Sequence, residues 1–262
     1  MRVVGVDLAW STGRTGLCAV EAGRVLDSAR VTTDDEIVAW VRGRDAPELL
    51  LAVDAPLIVA NATGRRPCEG VVSGAYGAQH AGTHPANLGL PAFARGVRGA
   101  RLARRLALDT APAALDVPPR RAAIEVYPHA ALVSLFGLPR ILKYKARRGR
   151  TAAARRAAFL ALLDRLRELA ALHPPLAVTT SPRWAGLESA VRRAARAAEL
   201  DAVEDELDAY VCAYVGAYHL AWRGRRSLTV GDAARGYIVT PVDEAHAARL
   251  RRLGGARGVG VS

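Results

Sequence analysis

The sequence predicts an α/β protein: a mixed five-stranded sheet, three antiparallel strands followed by parallel ones, with helices on both faces and a helix-rich C-terminal half. Three observations lead there. Residues 1–31 hold three β-rich runs separated by turns too short for anything but antiparallel pairing. An amphipathic segment then leads into a continuous apolar run of the kind buried on both faces of a sheet. Beyond Pro128 the strand signals thin out and Ala/Leu/Arg-rich helical segments take over.

In order, residues 2–9 form a first strand, Ser11-Thr12-Gly13-Arg14 a turn, 15–20 a second strand, Ala22-Gly23 a tight turn and 24–31 a third strand. Thr33, with Glu36 three residues on, forms a capping box for a helix over 34–42 whose Ile37, Val38 and Val41 share a face. The run ELLLAVD at 48–54, stopped by Ala55-Pro56, is a buried strand, and the helix before it makes it parallel to the strand it joins. Residues 57–90, rich in Gly, His, Asn and Pro and lacking clear periodicity, are expected to be a long loop insertion of the functional kind. A helical stretch at 91–108 and a short strand at 122–127 follow. Helices are expected at 129–136, 151–172, 182–199 and 201–222, then a hairpin of 228–230 with 237–239 around GDAARG. With no internal repeat and no linker, residues 1–241 read as a single domain. Residues 242–262 read as a C-terminal tail that frays from Gly254 on.

The 262 residues are 51% apolar, enough for a substantial core, and carry 37 Lys+Arg against 25 Asp+Glu, a net charge of +12. No stretch of about twenty consecutive apolar residues occurs, and Asp7 interrupts the N-terminal apolar run, which argues against a membrane span or signal peptide and for the cytoplasm. Cys18, Cys68 and Cys212 fit neither a disulfide framework nor a CxxC zinc site and read as buried thiols in a reducing compartment. The only two lysines are Lys143 and Lys145. Arg95, Arg98, Arg101, Arg104 and Arg105 form one basic cluster, and eight basic residues with no acidic one fall between Arg140 and Arg156. Such clusters attract polyanions, nucleic acid above all, or are simply solvated faces. Neither GxGxxG nor GxxxxGK[ST] occurs, so a Rossmann cofactor or P-loop lacks support.

Acids stand where structure would avoid them. Asp7 sits in VVGVDLAW, Asp54 ends LLLAVDAP and Glu125 interrupts AAIEVY. Asp7 and Asp54 fall at the C-terminal ends of adjacent parallel strands, where open α/β sheets build their sites. On the helix expected from Asp201, Asp208 borders the apolar stripe of Val203, Leu207, Tyr210 and Tyr214, so it should face the sheet while Asp205 turns further toward water; which of the two is a ligand stays open. Carboxylates on rigid elements suit Mg²⁺ or Mn²⁺, and two such ions about 3.5–4 Å apart would clamp the attacking water and leaving oxygen of a phosphodiester. The plain alternative gives each acid a separate job: Asp54 capping a loop, Glu125 paired with an Arg, Asp201 an N-cap, Asp205 solvated.

The order strand–strand–strand–helix–strand, with acids on the first and fourth strands and on a late helix, is similar to the ribonuclease-H-like fold. The blocks GVDLAW, AVDAPL, EVYPHAAL, LKYK, EDELDAYVCAY and GDAARGYIVTP, over residues 2–241, resemble in order those of domain-of-unknown-function family 429, described as predicted ribonuclease-H-like nucleases. The resemblance implies a metal-dependent nuclease fold in which Asp7, Asp54 and Asp208 are the acidic core, with Glu125 matching the EVYP block. GRRPCE (64–69) resembles the family's Gly-x-Arg-x-Cys-acid segment, where Arg65, Arg66 and Glu69 would bind a phosphate or order the loop and Cys68 packs rather than attacks. His80, His84 and Asn87 are candidate substrate contacts or surface loop residues. His129 is a proton shuttle, a phosphate contact or a cap. Lys143 and Lys145 around Tyr144 make a stacking-and-phosphate arrangement of low specificity. The expected function is phosphodiester hydrolysis by a two-metal mechanism: Asp7 bridging two ions, Asp54 and Asp208 each holding one, and Glu125 an outer ligand. The alternative is a nucleic-acid- or nucleotide-binding module on the same fold. Actin-like sugar kinases share the fold core, but their duplicated domain counts against them here.

Overall fold

The computed structural model describes residues 1–11 and 13–262; Thr12, in the first expected turn, lies outside the described residues. Strands β1 (Arg2–Leu8), β2 (Thr15–Glu21) and β3 (Arg24–Val31) form the antiparallel meander, and helix α1 (Asp34–Arg42) crosses over to β4 (Leu49–Asp54). With β5 (Arg121–Glu125) the sheet order is β3-β2-β1-β4-β5, and β1, β4 and β5 run parallel. Thr33 caps α1 in the expected reciprocal box with Glu36.

Alternation along β1 divides the core. Val4, Val6 and Leu8 face α1 and pack with Ile37, Val38 and Val41, whereas Val3 faces the long C-terminal helix. That helix, α7 (Ala197–Trp222), lies on β1 and β2 at backbone distance. A Cβ on Gly5 would stand 2.0 Å from the Ala209 carbonyl oxygen, and one on Gly16 only 1.7 Å from that of Asp205, so both positions admit only glycine without moving the helix. Helix α7 starts four residues before Asp201, with Glu199 closing the box on the Arg196 N–H, so Asp201 is not its N-cap.

Three expectations fail, the first being the helix at 91–108, whose continuous α-helical part covers only Arg98–Arg105. The 57–90 stretch is not all loop, since it contains α2 (Pro67–Tyr76), and the C-terminal segment is no frayed tail but α8 (Glu244–Arg257) packed on α2. Past α8 the Ser262 N–H donates to the Thr229 carbonyl and the Thr229 N–H to that of Ser262, stitching the last residues to β6 (Ser227–Asp232). β6 pairs with β7 (Gly236–Pro241) as the expected hairpin, joined to the end of β5 through Val126 and Val239. The remaining helices are α3 (Arg98–Arg105), α4 (Pro128–Phe136), α5 (Ala152–Glu168) and α6 (Trp184–Arg193). All three cysteines are free and buried, and among the described residues no helix is long and apolar enough to cross a membrane.

Candidate active site

Parallel register sets Asp7 directly beside Asp54, and Val53 beside Glu125, at the C-terminal edge of the sheet. The close seat of α7 on Gly5 brings Asp208, fully buried, to the same edge. A cleft of about 520 Å³ opens there, lined by Asp7, Asp54, Lys145 and His129, with Trp10, Leu90 and Tyr127 on its apolar walls.

The acids divide into two kinds. Glu125 is saturated: Arg66 Nη1 and Nη2 donate to its two oxygens at 2.8 and 2.6 Å, and the Leu57 N–H adds a third bond at 3.2 Å. The same guanidinium donates through Nε to Glu69 at 2.8 Å. Glu125 is thus the Arg-paired acid of the plain alternative rather than a free outer ligand, and Arg66 is a buried clamp between β5 and α2 rather than an open phosphate contact. Burial still lifts Glu125 above the ordinary carboxylate range, with Arg66 opposing it.

The aspartates are different. No donor reaches the side chain of Asp7 or Asp54 among the described residues. Burial raises Asp7 well above the usual range, with Lys145 opposing and Asp208, Asp54 and Asp205 adding repulsion; Asp54 is raised to about 7 by burial, with Lys145 opposing and Asp208 and Glu125 repelling. Asp208 accepts from the Tyr144 hydroxyl at 2.6 Å, and Lys145 Nζ lies 2.6 Å from its other oxygen as an ion contact out of hydrogen-bond alignment. Burial works against the ammonium of Lys145, but Asp208 and Asp7 overcome it and hold the group above its ordinary value. Asp205 points elsewhere, to Arg30 at 3.0 Å.

His129 lines the cleft with Nδ1 buried and without a partner, and burial, reinforced by Lys145, pushes it down to about 4, so the ring is neutral at ordinary pH. Tyr144 is no stacking platform, being fully buried against Phe159. Lys143 is exposed and does not line the cleft. Arg65 binds the Thr83 carbonyl at 2.7 Å and Asn87 the Gly64 carbonyl at 2.8 Å, so both tie the loop to itself. His84 lines the cleft and His80 does not. Cys68 is packed, its thiol pushed up to about 12 by burial.

The two basic clusters also part company. Arg98 is buried, holding Asp34 at 2.7 Å and the Ala9 carbonyl at 2.8 Å, and Arg105 pairs with Asp35 at 2.6 Å, so much of the first cluster fastens α3 to α1. Arg140, Lys143, Arg147 and Arg148 are exposed and make no ion pair among the described residues. Sequence reasoning missed Arg155, buried on α5 in the stripe of Phe159, Leu162 and Leu166. Its signal was available, because a charge in an apolar stripe must have partners. Here they are the Tyr144 carbonyl, Asp201 and Glu204, at 2.7, 2.7 and 2.8 Å.

A hard cation finds an all-oxygen donor pair in Asp7 and Asp54. No group of three or more His, Cys, Asp or Glu side chains is arranged to hold a metal among the described residues. Mg²⁺ is commonly held by one or two carboxylates together with waters and substrate phosphate, so the pair fits one ion. A second does not fit, since both oxygens of Asp208 are engaged, Glu125 belongs to Arg66 and Asp205 to Arg30.

Fold and site together define an α/β protein of ribonuclease-H-like architecture with an acid–lysine cluster at the carboxyl ends of its strands. The chain matches the model of the family described as protein of unknown function (DUF429) over residues 5–235, and it belongs to that family. No curated protein and no solved structure matches it.

Proposed function

We propose that the chain is a metal-dependent phosphodiester hydrolase acting on nucleic acid. The observation that carries this reading is the pair Asp7–Asp54: two adjacent half-buried carboxylates, neither with a donor, open to a cleft that also presents Lys145 and His129. Asp7 and Asp54 would hold one Mg²⁺ or Mn²⁺, which when bound polarises a phosphoryl oxygen and makes water a nucleophile at neutral pH. Lys145 supplies a fixed positive charge against a phosphate entering the cleft. Neutral His129 offers a ring nitrogen for proton transfer to or from the reacting oxygens. The Arg66–Glu125 clamp lines the cleft, and the exposed Arg140, Lys143, Arg147 and Arg148 attract the polyanion.

End-labelled single-stranded and duplex RNA, DNA and hybrid, incubated with protein and millimolar Mn²⁺ or Mg²⁺, should be cleaved, and Asp54→Asn should lose at least 100-fold. Failure to cleave any of them with either cation overturns the reading. One observation favours a second reading, a nucleic-acid- or nucleotide-binding module: Lys145 already sits among the acids. That reading expects salt-sensitive oligonucleotide binding without turnover.

A further inference from the structure

Lys145 is not a surface lysine that has swung inward. Its own carbonyl accepts from Arg150 Nη1 at 2.7 Å, and the carbonyl of Tyr144 accepts from Arg155 Nε at 2.7 Å. Arg155 is itself bound to Asp201 and Glu204 on α7, and the Tyr144 hydroxyl donates to Asp208 on that same helix. The Tyr144 ring packs between Phe159 and His129, with centroids 5.1 and 5.7 Å away. The segment that presents the ammonium is thus strapped to the helix that presents Asp208, so the 2.6 Å contact between them follows from buried anchors on both sides.

We propose that Lys145 is a built-in replacement for one of two cations: the site takes a single divalent ion on Asp7 and Asp54, and the ammonium keeps Asp208 closed to a second. The proposal rests on the reading that Asp7 and Asp54 hold a metal. An ion at Asp208 would have to displace both Tyr144 and Lys145 from its oxygens, and it would stand against the like charge of the ammonium. A lysine also differs from an ion in that it cannot dissociate. The charge beside Asp208 is therefore present at every metal concentration, and only the Asp7–Asp54 position responds to supply.

The test is the stoichiometry of Mn²⁺ binding, by calorimetry and by electron paramagnetic resonance on the full chain. The wild type should bind one ion with an uncoupled spectrum. Lys145→Met, close in length but uncharged, should admit a second ion with a spin-coupled signature. Asp208→Asn alone should leave one ion, and in the Lys145→Met background it should remove the second. Lys145→Arg keeps the charge, so it should keep one ion and serves if the methionine variant does not fold. Two ions in the wild type, or an unchanged stoichiometry in Lys145→Met, overturns the proposal; so does the absence of any Mn²⁺ binding. One-to-one binding with no cleavage of any polynucleotide upholds the role of Lys145 and overturns the hydrolase reading, so the two failures are separable.

Discussion

Two acidic clusters line the same cleft and are built on opposite principles. In Glu69–Arg66–Glu125 every carboxylate oxygen has a donor, with the Ala86 N–H completing Glu69 at 3.1 Å. In Asp7–Asp54–Asp208 three acids share one ammonium, and two of them have no donor at all. Glu206, two residues before Asp208 on α7, follows the first pattern: Arg183 reaches both its oxygens at 2.6 and 2.9 Å and the Ser28 hydroxyl donates at 2.6 Å. Burial alone therefore does not separate a structural acid from a functional one. Surplus charge is the difference between the two clusters, because fixed negative charge without donors lowers stability unless a ligand offsets it.

The largest expected effect breaks the saturated cluster. Arg66→Met leaves Glu69 and Glu125 buried without their cation and should cost about 3–5 kcal/mol, measured by urea unfolding. The surplus cluster should respond with the opposite sign. In chelator at pH 8, Asp54→Asn should raise stability by roughly 1–2 kcal/mol, because the folded-state value of about 7 means that stability is lost as pH rises through that range, and the amide has no charge to bury. Millimolar Mn²⁺ should raise the melting temperature of the wild type and do little for Asp7→Asn. If both clusters lose stability alike, the contrast between them fails.

A third test asks whether the exposed arginines serve the surplus cluster. Charge reversal at Arg147 and Arg148 should flatten the slope of log affinity against log salt for an oligonucleotide by about 2, roughly 1 for each phosphate no longer neutralised. A wild-type slope near zero would detach the basic segment from the cleft. The last test sharpens the comparison from outside both clusters. Buried His219, bonded to Ser227 at 2.9 Å, is held down to about 3 by burial, so its contribution is complete above the ordinary value of 6.5 and is lost as pH falls below it. The wild type should lose about 1 kcal/mol more than His219→Gln per pH unit between about 6 and 4 in acid unfolding.

The sheet was legible because its strands announce themselves. An acid ending an apolar run marks both the strand and its site end, and α/β topology sets Asp7 and Asp54 side by side. The partner of Glu125 was not legible. Arg66 lies 59 residues away, at the start of a helix buried on so many sides, through Cys68, Glu69, Val71, Val72, Ala75 and Tyr76, that it shows no amphipathic period. Helix α8 was missed because residues 242–262 read as a tail fraying from Gly254. The structure shows the cause, since a Cβ there would stand 2.6 Å from Val261, so that glycine admits the returning chain instead of ending the helix. LKYK holds both lysines of the chain, but no local pattern says which one turns inward, since that depends on Arg155 and α7.

The contact of α7 with Gly5 and Gly16 makes the spacing of the site a property of the main chain. Asp208 is gauged against Asp7 by one backbone resting on another, with no deformable side chain between them, so repacking elsewhere in the core can weaken the protein without detuning its chemistry. The converse exposure is narrow: a single methyl group at either glycine would stand within 2.0 Å of the helix backbone and force the helix off the sheet, opening the acid spacing. Laboratory evolution of this chain for heat tolerance would thus have wide latitude in its Ala- and Leu-rich interior and almost none at two residues that carry no side chain at all.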